Sequence, residues 1–189
     1  MQAANTENLS KYLSLTSDHS VARAFWIVTF AILTAVGAQI EIPMNPVPFT
    51  LQTFFVLLSG AFLGRKGGFL SMSLYLFLGL LGFPVFAGGG FGLQSIIGPS
   101  GGYLLAFPFA SFLIGYLISL RHSRFFVIAA MFSGLFLIFS LGTIQLNFVY
   151  FHSWTDSLKA GLIAFSVWDF VKLAAASSIY SHFSESSKP

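Results

Sequence analysis

From Gly67 to Leu120, and again from Phe125 to Thr155, the chain contains no Asp, Glu, Lys or Arg. Runs of that length without a charge belong in lipid, where a spanning helix takes about 20 apolar residues. Only 8% of the 189 residues are charged and the mean hydropathy is +0.82, against roughly 25% charged residues in an ordinary soluble domain. The expected fold class is therefore an all-α membrane protein, one domain with no room for a soluble catalytic or nucleotide-binding unit. Gly60 to Lys66 lacks Walker A spacing, and the glycines after Val85 do not form a dinucleotide fingerprint. The net charge of +3 gathers into no basic patch with aromatics interleaved, which argues against nucleic acid. With no Cys, disulfides, thiolate chemistry and Cys-ligated metals are excluded.

The pattern predicts six spans: Ala22–Ile40, Leu51–Leu63, Phe69–Leu81, Tyr103–Leu120, Phe125–Leu146 and roughly Ser157–Ser181. They form a transmembrane domain over 22–183, between a polar tail at 1–21 and a short tail at 184–189. Glu41 to Thr50 carries three prolines in six positions, which no helix interior accepts, so it is expected to be an ordered loop. Val85 to Gly102 holds seven glycines and is expected to approach a ligand closely or to act as a lid. Ala31, Ala35 and Ala38 recur at i, i+4 and i+7, a smooth stripe suited either to packing inside the chain or to docking a partner.

Across six spans, Lys11, Arg23, Arg65, Lys66, Arg121, Arg124 and Lys188 fall on one side, and Lys159 alone lies near the other. By the positive-inside rule both termini are cytoplasmic, and the proline-rich loop, the glycine-rich loop and the turn from His152 to Asp156 face outward. His19, His122, His152 and His182 are scattered over loops and ends, so no metal site is expected.

Against this background two charges stand out, Asp169 and Lys172 in the last span. At i and i+3 they share a helix face. Either charge costs roughly 2.5–3.5 kcal/mol at the centre of a spanning helix, so such residues face the bundle interior and mark a site or a pathway. The bland alternative is a salt bridge that only helps two helices pack. Gln52, Gln94 and Tyr103 are the other candidate polar contacts, the two glutamines serving equally well as loop braces. Phe49, Phe86 and Phe91 can cover apolar rings, among 24 Phe most of which pack.

Three motifs occur in order: Gln39-Ile40-Glu41-Ile42-Pro43 through Pro46-Val47-Pro48-Phe49-Thr50-Leu51-Gln52-Thr53-Phe54; Gly82-Phe83-Pro84-Val85-Phe86-Ala87-Gly88; and Gly98-Pro99-Ser100-Gly101-Gly102-Tyr103-Leu104. Together with Asp169 to Lys172 they resemble the BioY family of biotin transporters, the substrate-binding S components of energy-coupling factor (ECF) transporters. Ser100 stands where the family usually has Thr. Trp168 stands where a small residue is usual, so its bulk is expected to bear on the pocket's shape.

The resemblance implies six helices with both ends inside, in a bacterial cytoplasmic membrane, and biotin as transported ligand with no cofactor and no catalysis. It implies that Asp169 accepts from the ureido N–H groups and that Lys172 donates to the ureido carbonyl or to the carboxylate. It also implies that Ala31 and Ala35, as an A-x-x-x-A pattern, dock on a transmembrane coupling protein that works with two ATPase subunits. An S component for another small vitamin or cofactor precursor is the alternative.

Overall fold

The computed structural model describes residues 20–121, 123–164 and 167–186. Most of the expected N-terminal tail lies outside these, as do Lys11, His19, His122 and Lys188. The described chain is mostly helical. Helix α1 (Ser20–Gln39) leads into a two-residue antiparallel pair, β1 (Glu41–Ile42) and β2 (Phe49–Thr50), with Glu41 opposite Thr50 and Ile42 opposite Phe49. The expected ordered loop is thus a small hairpin. Its prolines exclude helix, and Leu51 N–H closes it onto the end of α1 through Gly37 O (3.0 Å) and Ile40 O (3.1 Å).

Helix α2 (Gln52–Leu80) merges the second and third expected spans, with one residue off helical geometry, Gly64 at φ 67°, ψ −178°. Glycine reaches that conformation without the Cβ penalty other residues meet. The two arms fold back on each other there: a Cβ on Gly68 would lie 3.0 Å from Gly60 Cα, and Gln52 on the first arm bonds Tyr75 on the second. The expected basic turn is therefore one residue wide, with Arg65 and Lys66 already helical and exposed.

A 3₁₀ turn (Ala87–Gly89) and the short helix α3 (Gly92–Ile97) occupy the glycine-rich segment. Helices α4 (Gly101–Leu120) and α5 (Arg124–Leu146) follow, the latter running into a π turn (Asn147–Phe151). Helices α6 (Trp154–Ala164) and α7 (Val167–Ser186) follow. Among the described residues three helices are long and apolar enough to cross a membrane, α1, α4 and Arg124–Phe151.

Inside these helices hydroxyls are satisfied locally, as lipid demands. Thr29 donates to Phe25 O (2.9 Å), Ser133 to Ala129 O (2.8 Å) and Ser140 to Phe136 O (2.7 Å). Between helices small residues allow close approach: Ser59 and Ser111 touch Oγ to Oγ at 2.8 Å across α2 and α4, and Ser71 donates to Ile27 O on α1 (2.8 Å).

The alanine stripe on α1 faces inward. Ala31 and Ala38 are 1% and 0% exposed, Ala35 is half-buried, and Ala31 belongs to a core cluster with Val56, Met72 and Tyr75 of α2. Ala31 thus packs inside the chain against α2, one of the two uses the stripe allows, while Ala35 is only partly covered. The exposed stripe of α1 is Val21, Phe25, Val28, Ile32 and Val36. Accordingly, Ala31→Trp overpacks the core and lowers stability by about 1–3 kcal/mol, whereas Ile32→Trp leaves the thermal midpoint in detergent within a degree or two of wild type. Equal midpoints for the two variants would count against this assignment.

Candidate functional site

Beneath the β1–β2 hairpin and the glycine-rich segment lies a cavity of about 220 Å³. Its base is charged. Lys172 Nζ lies 2.6 Å from Asp169 Oδ1, one turn apart on α7, with side chains 10% and 1% exposed. The ammonium also donates to Thr53 Oγ1 (2.7 Å) on α2 and to Thr50 O (3.0 Å) on β2, and Thr53 Oγ1 donates to Asp169 Oδ1 (3.3 Å). Lysine has three N–H donors, and each has an acceptor here. A buried charge needs that company, since an ion stripped of partners costs several kcal/mol. The pair is therefore closed, as the packing reading expected, yet both residues line the cavity, as a ligand site requires.

The remaining wall is mostly apolar, with Val47, Pro48, Phe49, Phe86, Leu104, Phe107, Ile138 and Phe139 set among the polar side chains of Gln52, Gln94, Ser95, Ser100 and Tyr103. Gln52 is both wall and brace: its amide donates to Tyr75 Oη and accepts from Thr50 Oγ1 (2.7 Å), while Tyr75 donates to Val85 O (3.1 Å). The Gln94 side chain makes no hydrogen bond among the described residues. Tyr103 is 7% exposed and its buried Oη, with the Thr143 side chain beside it, closes no hydrogen bond of good geometry among them.

Two glycines seat the aromatic walls. A Cβ at Gly79 would overlap the edge of the Phe86 ring, and one at Gly142 would collide with the Tyr103 ring. Phe86 is thereby buried at 2% exposure, edge-on to Tyr75 at 5.5 Å between centroids.

The roof is held by two glutamine clasps. From α1, Gln39 Nε2 donates to Phe86 O (3.0 Å) and its Oε1 accepts from Gly89 N (3.2 Å). From α5, Gln145 Nε2 donates to Ile96 O and Gly98 O, both at 2.8 Å.

Of the candidate residues, Asp169, Lys172, Tyr103, Gln52, Gln94, Phe86 and Phe49 all meet in this wall. Phe91 does not: it is 58% exposed, in extended backbone just before Gly92 turns the chain at φ 75°. Trp168 is 60% exposed and absent from the wall, so its bulk leaves the pocket's shape alone. Thr53, the clasps at Gln39 and Gln145, and Phe107 were not singled out from sequence. Thr53 lies within the first motif, and its place there was the one signal for it. Among the described residues no cluster of His, Asp and Glu is placed to hold a metal.

A lipid-suited helical bundle that closes two short lids over a small apolar cavity with one buried ion pair at its base is a membrane-embedded binding component for a small molecule. The chain belongs to the BioY family, whose model matches residues 7–188. It is 43% identical over 150 residues to the biotin transporter BioY of Thermotoga maritima, covering 79% of this chain and 88% of that one. It is 44% identical over 158 residues to a probable biotin transporter BioY of Pyrococcus horikoshii, with the same coverage. The fold matches the crystal structure at 2.1 Å of the S-component for biotin from an ECF-type ABC transporter, with a TM-score of 0.82 and 28% identity over 90% of this chain and 94% of that one.

Proposed function

We propose that this protein takes up biotin, binding it in the cavity over Asp169 and Lys172 and passing it inward as the S component of an ECF transporter. The observation that carries this reading is the buried carboxylate and ammonium at the base of an otherwise apolar, roofed cavity in a chain of this family. At about 220 Å³ the cavity is smaller than the roughly 300–1,000 Å³ typical of drug-sized ligands, which suits a compact bicycle.

Biotin offers two ureido N–H donors, a ureido carbonyl, an apolar thioether ring and a valerate carboxylate. Asp169 accepts from the N–H groups. Lys172 exchanges the neutral Thr53 hydroxyl for the ureido carbonyl or the carboxylate, and Phe49, Phe86 and Phe107 cover the apolar atoms. No bond is made or broken, so the chain is a transporter component and not an enzyme.

Six spans with both termini in the cytoplasm agree with the two arms of α2 folding back at Gly64 and with the lysine and arginine asymmetry. The energy for release inward then comes from a coupling module, a transmembrane protein with two ATPase subunits, in a bacterial cytoplasmic membrane. The exposed apolar stripe of α1 faces lipid.

Calorimetric titration of the detergent-purified protein tests the reading, with dethiobiotin and riboflavin as comparators. Biotin is expected to bind at least about 100-fold, or ~2.7 kcal/mol, more tightly than riboflavin. Tighter binding of riboflavin would move the protein to another S-component specificity. Tyr103→Phe removes a buried hydroxyl that closes no hydrogen bond of good geometry among the described residues, so it is expected to keep or raise the unliganded thermal midpoint while weakening biotin by roughly three- to tenfold. Unchanged affinity would remove that hydroxyl from the ligand's contacts.

A further inference from the structure

A second cavity, of about 350 Å³, adjoins the first on the side of the proline hairpin. Val47, Phe49 and Tyr103 line both, so these three form the partition between them. The outer wall adds Met44, Asn45 and Pro46 from the hairpin, Leu146 and Phe151 beside them, and two charged residues of α6, Asp156 and Lys159.

Lys159 is the exception in the charge map. Of the nine Lys and Arg in the chain, the topology proposed above puts seven on the cytoplasmic side and Lys172 in the binding cavity, which leaves Lys159 as the single cation it puts outside. Asp156 and Lys159 repeat the i, i+3 spacing of Asp169 and Lys172 thirteen residues earlier. The inner pair is closed and buried. The outer residues are both exposed, and among the described residues they close no ion pair with each other. The outer cavity thus presents the same two chemistries as the inner one, a cation for a carboxylate and a carboxylate for N–H donors, in an unlocked form. The partition between them carries the buried Tyr103 hydroxyl, which closes no hydrogen bond of good geometry among the described residues.

We propose that the outer cavity is an anteroom in which Lys159 receives the carboxylate of the incoming ligand before it passes the Phe49–Tyr103 partition to Asp169 and Lys172. The ligand class is a small monocarboxylate bearing N–H donors, and the inference rests on the biotin reading above. A rim charge acts chiefly on the association rate and its salt dependence, and steering of this kind is worth tenfold or more at low ionic strength.

The test is stopped-flow association of biotin and of its uncharged analogue biotinamide with the full chain in nanodiscs, at two ionic strengths. Wild type is expected to capture biotin about tenfold faster than biotinamide at low salt, with the advantage shrinking as salt rises. Lys159→Gln removes the advantage and Lys159→Glu reverses it, dissociation rates staying within about twofold of wild type. Equal association rates for the two ligands in wild type, or an advantage that survives Lys159→Glu, would overturn the anteroom while leaving the inner site standing. Failure of wild type to bind either ligand would overturn the biotin reading, and the anteroom with it.

Discussion

Lys172→Met is expected to bind biotin about 10- to 100-fold more weakly than wild type, the 1.5–3 kcal/mol of a hydrogen bond from a charged group converted at 1.4 kcal/mol per decade. The variant should still insert, because removing a charge from a span lowers its cost in lipid. It also leaves the Asp169 carboxylate buried without the ammonium, and breaking a buried pair in this way costs about 3–5 kcal/mol of stability. Affinity and stability therefore fall together in the single variant, and the single variant alone does not separate a ligand site from a packing salt bridge.

Asp169→Asn/Lys172→Met separates them. With both charges gone nothing buried is left uncompensated, so the thermal midpoint should return close to wild type while biotin binding stays lost. If the pair served only to pack α7 against α2 and β2, the double variant would recover both, and near-native affinity in it would remove the pair from the site.

Gly142→Leu should weaken biotin by about 10- to 100-fold, or ~1.4–2.8 kcal/mol, in a protein that remains folded. Any Cβ at position 142 enters the space of the Tyr103 ring. The ring, and not α5, is what gives way, because leaving glycine in a helix interior gains about 1 kcal/mol of propensity, which partly offsets the strain of overpacking. The displaced ring then narrows the binding cavity and the partition at once. Gly142→Ala should fall between the two. Full affinity in Gly142→Leu, measured by the same calorimetry, would show that Tyr103 has room to move and does not shape the site.

The charge-free runs made the helical, lipid-suited character of the chain legible, and the rarity of charge made Asp169 and Lys172 conspicuous; both readings rest on one physical fact, the cost of ions in hydrocarbon. Gln52, Gln94, Tyr103, Phe49 and Phe86 were recoverable because they sit in or beside the three motifs, which become the hairpin, the lid and the start of α4. Thr53 was harder to see. One threonine in a helix that satisfies hydroxyls through its own carbonyls carries no outward mark, and its role exists only because α7 places Lys172 beside it from 119 residues away.

The clasps at Gln39 and Gln145 reach partners 47 to 50 residues distant, beyond any local pattern. The alanine stripe shows the opposite limit. Its periodicity was plain, but spacing says only that a face is smooth, and it does not say that Ala31 packs on α2 while Ala35 stays partly open. Phe91 was one aromatic among 24, and a positive-φ glycine beside it directs the chain in a way that composition does not announce.

A structure of the protein with biotin bound measures the central claim most directly. The account predicts the bicycle between Phe49, Phe86 and Phe107, with a ligand oxygen within hydrogen-bond distance of Lys172 Nζ in place of Thr53 Oγ1 and a ureido N–H on Asp169. Biotin seated elsewhere, with Lys172 still tied to Asp169, Thr53 and Thr50, would contradict it.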